Sequence, residues 1–200
     1  MKKLHLLLPL ALLALVFGLV ACGGSDESDE DKIVNVIETS VTGSDPADCK
    51  ELATQAFLEQ TELEQGAEAV KSCEASAEDT SDDPDSVEVS EVEVDGAAAT
   101  ANVAFTGGGF DGQVISLSLV EEDGDWKLDE LTGFAKFDQE KLASAFEEAF
   151  ADEDGNPQLV TCFGETIRGL SKAQAEEIVI GGSPRPIEEV AEGCIEGLEE

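Results

Sequence analysis

The stretch SVEVSEVEVDGAAATANVAF, residues 86–105, decides the fold. Its apolar residues recur at every second position, which is typical of strands that bury one face. The alternation slips at Ser90 and Glu91, and such a slip predicts a β-bulge. Between the two alternating halves stands Asp95-Gly96, where glycine tolerates the positive φ of a two-residue hairpin turn. The stretch therefore predicts a bulged antiparallel hairpin.

Two further strands extend this hairpin into a meander. QVISLSLVEE (residues 113–122) and DWKLDEL (residues 125–131) both alternate, and Asp123-Gly124 supplies a second two-residue turn between them. The residues expected to point inward from these two strands are Ile115, Leu117, Leu119, Trp126 and Leu128. We therefore expect four antiparallel strands in consecutive order.

Helical patterns precede the sheet. Residues 32–41 carry a stripe of β-branched side chains at helical spacing, and a second helix is signalled by Asp45 as cap and Pro46 in the first turn. The inward face of the second helix is predicted to be Cys49, Leu52, Ala53, Ala56 and Phe57. A third, short helix is expected near residues 64–71, before a polar loop that leads into the sheet.

Four short helices are predicted after the sheet, over residues 138–200. Asp138 is a candidate cap for the first, Asn156-Pro157 for the second, and Ser171 with Gln174 forms the capping box of the third. The fold class is therefore predicted as α+β. N-terminal helices pack on a bulged four-stranded antiparallel sheet in one domain, and a small helical appendage follows it.

Three segments resemble the cone-shaped nuclear transport factor 2-like (cystatin-like) fold: DCKELATQAF, VEVDGAAATANV and DGDWKL. The resemblance covers about residues 32–137 and implies helices packed on a curved antiparallel sheet. Many exported bacterial lipoproteins carry such a domain, so the resemblance also implies a protein of the cell envelope.

The amino-terminal segment resembles a lipoprotein signal peptide. Lys2 and Lys3 precede an apolar run, and LVAC (residues 19–22) resembles the bacterial lipobox. The resemblance implies cleavage after residue 21, a diacylglycerol thioether on Cys22, and attachment to the extracytoplasmic side of the cell membrane. Residues 22–31 would then be a disordered acidic tether, because they offer almost no apolar surface to bury.

Charge narrows the class of partner. The chain has 46 acidic and 11 basic residues, and loss of Lys2 and Lys3 with the signal peptide changes the formal charge from −35 to −37. Such a surface repels nucleic acid and anionic lipid and favours cations, basic partners or a high-salt environment. We expect no nucleic-acid partner.

Four cysteines remain once Cys22 carries lipid. An even number in an exported chain indicates two disulfides, for which three pairings are open. The pairs Cys49–Cys73 and Cys162–Cys194 are favoured, because each joins two cysteines of one helical region. A thiolate metal site is the competing interpretation, but the mature chain offers no histidine to share it.

Catalysis is not expected. The chain has no tyrosine, and its one histidine, His5, lies in the predicted signal peptide. The mature protein therefore lacks the usual neutral-pH base and any Ser-His or Cys-His pair. Enzymes of the nuclear transport factor 2-like superfamily generally use an Asp–His pair or a tyrosine in the cone. We expect no cofactor, although a carboxylate-only mechanism stays open.

Two local motifs favour ordinary structure over a site. TGGGFDGQ (residues 106–113) lies between strands and contains an acid, so a hairpin loop is favoured over a phosphate cradle. DEDGNP, with Asp152, Asp154 and Asn156, resembles the start of a calcium loop, but Pro157 stands where that pattern needs glycine. A turn between helices is favoured there.

Two functions remain open. The first is a non-catalytic envelope lipoprotein that binds or scaffolds an unknown envelope protein, with a filled cone. The alternative is a carrier or sensor of a small apolar ligand held in the cone. It predicts a cavity of roughly 300 Å³ or more between the sheet and the N-terminal helices. Its candidate lining residues are Phe105, Ile115, Leu117 and Trp126.

Overall fold

The computed structural model describes residues 27–78, 83–151, 156–183 and 185–196. The elements in chain order are α1 (Asp29–Thr42), α2 (Asp48–Glu51), α3 (Gln55–Glu62), α4 (Ala67–Ser76), β1 (Ser86–Asp95), β2 (Ala98–Thr106), β3 (Val114–Glu122), β4 (Asp125–Lys136), α5 (Gln139–Ala151), α6 (Pro157–Gly169), α7 (Lys172–Val179) and α8 (Arg185–Glu196). The predicted α+β class is confirmed. The predicted signal peptide, the lipobox with Cys22, and most of the predicted tether lie outside the described residues.

The sheet is an antiparallel meander in the order β1-β2-β3-β4. The predicted bulge is confirmed, because the β1–β2 register shifts between Ser90 and Glu93 and Glu91 has a φ of 51°. The turn between β3 and β4 is Asp123-Gly124, with positive φ at both residues, as the sequence predicts. The turn between β1 and β2 lies one residue later than predicted, since Asp95 still pairs with Ala98.

Helix α1 begins three residues earlier than predicted. The Ser28 hydroxyl accepts a hydrogen bond from the Asp31 amide, and the Asp31 carboxylate accepts in return from the Ser28 amide, which completes a capping box. The acidic residues at the end of the predicted tether are therefore the cap and first turn of a helix. The prediction of disorder is corrected for residues 28–31. One face of α1 buries Ile33, Val36 and Ile37.

The single helix predicted over residues 45–57 is two helices. Helix α2 ends at Glu51, and the chain then runs alongside β4, where the Leu128 amide donates to the Leu52 carbonyl and the Thr54 amide donates to the Leu128 carbonyl, both at 2.8 Å. The Thr54 hydroxyl then caps α3 by accepting from the Phe57 amide at 3.2 Å. Pairing with β4 and a hydroxyl cap together outweigh the helical spacing of the apolar residues.

The sheet serves two hydrophobic cores. The first core lies between the sheet and α1 to α4, and its buried residues are Ile33, Val36, Ile37, Ala53, Leu58, Ala69, Ala99, Ala101, Val103, Leu117, Leu119, Trp126 and Leu128. Ala69 is buried in α4, whereas Ala67 is exposed. The second core joins the sheet to α5, α6 and α7, and its buried residues are Ile115, Phe134, Leu142, Ala143, Ile167, Ala175 and Ile180.

The C-terminal part is helical, as predicted. Asn156 caps α6, and Ser171 with Gln174 forms the predicted capping box of α7. The Cys162–Cys194 disulfide joins α6 to α8 with a Cα–Cα distance of 5.7 Å, and Cys49–Cys73 joins α2 to α4 with 6.0 Å. Both predicted pairings are confirmed. In the part of the chain that the structure describes, no helix is both long and apolar enough to cross a bilayer.

Candidate functional site

Helices α1 to α4 line an open cleft of about 400 Å³, which we name the N-terminal cleft. Its apolar walls are Val41, Cys49, Ala53, Phe57, Leu58, Cys73 and Ala77. Its remaining lining residues are Ser40, Gly43, Asp45, Asp48, Thr61, Glu62, Ser76 and Asp83. We call the apolar residues the walls of the cleft and the polar and acidic residues its rim.

The break between α2 and α3 builds the cleft. Because Thr54 caps a new helix after the chain has paired with β4, α3 starts in its own direction and presents Phe57 and Leu58 to the hollow. The Cys49–Cys73 disulfide forms part of the wall and ties α2 to α4. An ion pair between Lys50 and Glu74 joins the same two helices. Two cross-links thus hold the wall in place.

The rim carries carboxylates from separate segments. Asp45 precedes α2, Asp48 opens α2, Glu62 ends α3, and Asp83 precedes β1. Asp48 and Glu62 are half-buried, and the other two are exposed. None of the lining residues is basic. The cleft therefore combines apolar side chains with charge of one sign, which is negative.

The four residues proposed from the sequence as a pocket lining are divided between the two cores. Leu117 and Trp126 are buried in the first core, and Ile115 is buried in the second. Phe105 is partly buried and contacts both cores. The structure therefore does not bring the four together around one cavity.

Sequence reasoning recognised several cleft residues without recognising the cleft. Cys49, Ala53 and Phe57 lie on the predicted inward face of one helix, and such a face is typical of residues packed in a hydrophobic core. Asp45 was a candidate cap, and its carboxylate does accept a hydrogen bond from the Ala47 amide at 2.9 Å. A usable signal was Thr54, a good capping residue in the middle of a predicted helix.

A second cavity, of about 650 Å³, lies at the start of α1. Its lining includes Lys32, Lys50, Lys127, several acids and Trp126. Each of these lysines already has a partner: Lys32 pairs with Asp29 at 3.2 Å, Lys127 with Glu122 at 3.4 Å, and Lys50 with Glu74. The hydrogen bond from Lys32 lowers the pKa of the Asp29 carboxyl, and a hydrogen bond from the Trp126 indole lowers it further. Internal pairing accounts for these charges.

A third cavity, of about 510 Å³, lies between α6, α7 and α8 beside the Cys162–Cys194 disulfide. Its charged lining residues are of both signs, with Arg185 among Glu177 and Glu189. It therefore lacks the single sign of charge found in the N-terminal cleft.

The glycine-rich segment forms the loop between β2 and β3, as predicted. The Asp111 carboxylate accepts from the Gly107 amide at 2.9 Å and pairs with Lys141 of α5, also at 2.9 Å. The lysine, and then the Gly107 amide, lower the pKa of the Asp111 carboxyl. Gly112 lies so close to the Lys141 side chain that a Cβ would collide with it. The ion pair between Asp111 and Lys141 therefore connects the loop to α5.

The described ranges contain no group of three or more Cys, Asp or Glu side chains arranged to hold a metal ion. Asp152 and Asp154 of the calcium-like segment lie outside those ranges. The side-chain oxygen of Asn156 accepts a hydrogen bond from the Gln158 amide at 3.0 Å and so caps α6.

Comparison with known proteins relates part of this chain to a family. Residues 55–135 match the family model described as the C-terminal domain of the low molecular weight antigen MTB12. The match begins at the first residue of α3, contains α4 and β1 to β3, and ends within β4. Searches of curated proteins and of solved structures gave no match. The similarity thus covers less than half of the chain, and it includes the sheet and one side of the cleft.

Proposed function

We propose that this protein is a non-catalytic, lipid-anchored binding protein of the cell envelope, with a nuclear transport factor 2-like core, and that the N-terminal cleft is its ligand site. The observation that carries the proposal is the cleft itself, whose volume of about 400 Å³ falls within the range of small-ligand sites. Apolar walls with a few polar groups at the rim are the usual composition of such sites.

Anchoring through Cys22 is supported by the lipobox-like LVAC segment and by two disulfides, which persist in an oxidising compartment. Because α1 begins at Asp29, only residues 23–28 would separate the acylated cysteine from the folded domain, a reach of at most about 22 Å. Ser40 and Val41, which line the cleft, lie toward the far end of this 14-residue helix, which is about 21 Å long. The cleft and the anchor would therefore be at opposite ends of α1.

The non-catalytic part of the proposal draws on composition. The mature chain has neither histidine nor tyrosine, and the acids of the cleft are exposed or half-buried at its rim. The family model that matches residues 55–135 is described as an antigen domain, a description that names no reaction.

A ligand held in the cone, between the sheet and the N-terminal helices, is the less favoured alternative. Ile33 and Ile37 of α1 and Leu119 of β3 are fully buried and fill the space that such a ligand would need. The proposal therefore assigns binding to the cleft between the helices.

The anchor is tested by labelling cells with an alkyne fatty acid and comparing wild type with Cys22→Ala. We expect label and membrane association for the wild type only. Equal membrane association of an unlabelled Cys22→Ala protein would remove the anchor from the account.

The binding site is tested with the neutral dye Nile red and the mature chain carrying Cys22→Ser, which has no acyl group to bind the dye. We expect saturable fluorescence enhancement. Thr61→Trp, which fills the cleft from α3, should weaken it at least about tenfold, whereas Glu64→Trp, exposed and outside the lining, should not. Absence of saturable binding, or equal binding by the two variants, would contradict the assignment.

A further inference from the structure

We infer that the N-terminal cleft takes an amphiphilic cation, that is, a small ligand with an apolar body and one protonated amine or guanidinium group. This inference rests on the proposed function, because it names the chemistry of the ligand for the same site. It follows from the combination of walls and rim, neither of which would be sufficient alone.

The walls set the apolar part of the ligand. Leu58 and Cys49 are buried lining residues of the cleft, and Phe57 is a half-buried one. The volume of about 400 Å³ exceeds that of a single aromatic ring with a short alkyl chain. Phe57 also contributes an aromatic ring to the lining, and aromatic rings attract ammonium groups that lie over their faces.

The carboxylates of the rim determine the sign of the charge that a ligand should carry. Four carboxylates from four segments line the same cleft, so their fields add there: Asp45, Asp48, Glu62 and Asp83. No basic side chain in the lining compensates them. The lysines of the neighbouring helices are engaged elsewhere, because Lys50 pairs with Glu74 and Lys71 pairs with Glu68.

The same arrangement disfavours other ligand classes. A carboxylate or phosphate would enter a hollow ringed by like charge, which is unfavourable at short range. A neutral apolar molecule would gain only the contacts of the walls. A simple inorganic cation would gain only the charge of the rim, since the side chains of the walls offer it no oxygen ligands.

Four probes separate these classes: 3-phenylpropylammonium, the neutral 3-phenylpropanol, the anion 3-phenylpropanoate, and methylammonium, which lacks the apolar body. Binding to the mature Cys22→Ser chain is measured by NMR titration near pH 7. At low ionic strength we expect the aromatic cation to bind about tenfold more tightly than the alcohol, and the anion and methylammonium more weakly than either. The preference should shrink several-fold near 0.5 M salt, because exposed charges are screened.

A pair of double variants identifies the charges responsible. Asp48→Asn with Glu62→Gln should abolish most of the preference for the cation and leave the affinity for the alcohol unchanged. Glu38→Gln with Glu51→Gln removes the same charge from exposed positions outside the cleft and should leave the preference intact. Retained alcohol binding shows that each variant is folded.

The outcomes distinguish the inference from the function on which it rests. Equal affinity for the cation and the alcohol, or equal effects of the two double variants, would overturn the inference while the binding site stands. Failure of both the cation and the alcohol to bind the wild type would overturn both.

Discussion

Gln60 of α3 completes the backbone hydrogen bonding of Leu131 in β4. Its side-chain carbonyl accepts from the Leu131 amide at 2.7 Å, and its side-chain amide donates to the Leu131 carbonyl at 2.9 Å and to the Ile180 carbonyl at 2.8 Å. Two other backbone groups on β4, each three residues from Leu131, also have partners outside the sheet. Leu128 hydrogen-bonds to the backbone of residues 52 and 54, and the Phe134 amide donates to the Glu176 carboxylate at 2.8 Å. The outer edge of β4 is thereby covered, which protects it from pairing with other chains.

Gln60→Ala is expected to destabilise the protein by about 1–3 kcal/mol, because it leaves a partly buried backbone donor and two acceptors without partners. Urea denaturation measures the loss, and hydrogen exchange at the Leu131 amide should accelerate. Gln65→Ala is the control, since its side chain bonds only to the adjacent Glu64 carbonyl. Equal stability of the two variants would show that the hydrogen bonds of Gln60 to Leu131 and Ile180 do not stabilise the fold.

Packing of α1 on the sheet gives a second prediction. Ile37→Ala should cost about 2–5 kcal/mol, because Ile37 is fully buried in the first core and its truncation leaves a cavity. Val94→Ala in β1, where the side chain is 43% exposed, should change stability by less than about 0.5 kcal/mol. Trp126, the single tryptophan, lies in the same core and reports unfolding by fluorescence. A small loss for Ile37→Ala would contradict the described packing.

The disulfides should stabilise their own regions. Replacing Cys162 and Cys194 by alanine should cost roughly 3–4 kcal/mol by the chain-entropy relation for a separation of 32 residues. Hydrogen exchange should show faster opening of α6 and α8 than of β2 and β3. A uniform increase in exchange over the whole chain would instead indicate that the appendage and the sheet unfold as one unit.

Acid should weaken the contact between α5 and α6. Arg168 donates two hydrogen bonds to Glu147, at 2.7 and 2.9 Å, and thereby lowers the pKa of the Glu147 carboxyl. A carboxyl with a lowered pKa in the folded state stabilises the fold above its unfolded pKa of about 4.3, and this contribution is lost as the pH falls through the folded pKa.

Urea midpoints of wild type and Glu147→Gln are therefore expected to differ at pH 7 and to converge below about pH 4. Glu165→Gln, an exposed position on the helix of Arg168, is the matched control. A difference between wild type and Glu147→Gln that stays constant from pH 7 to pH 3 would exclude this titration as its cause.

Much of the sheet and the appendage could be predicted from sequence because their signals are local. The alternation of β1 to β4, the bulge after Ser90, and the capping box of Ser171 and Gln174 each depend on residues within a few positions of one another. The disulfide pairing could be predicted because each bond joins neighbouring helices of one region.

The cleft could not be predicted in the same way because distant contacts create it. The stripe from Cys49 to Phe57 has helical spacing, and only pairing with Leu128, more than seventy residues later, divides it into two helices. The spacing also does not reveal that Phe57 is only half covered, or that Asp83 comes to the same rim as Asp45. Each of these facts depends on how the helices pack.

The central claim, that the cleft among α1 to α4 is the ligand site, is tested most directly by mapping amide chemical shifts during titration of the mature chain with 3-phenylpropanol. We predict saturable shifts at Val41, Phe57 and Ala77, with little change around Thr166 and Val190 in the groove of the appendage. Saturable shifts confined to that groove, or none at the cleft, would contradict the account.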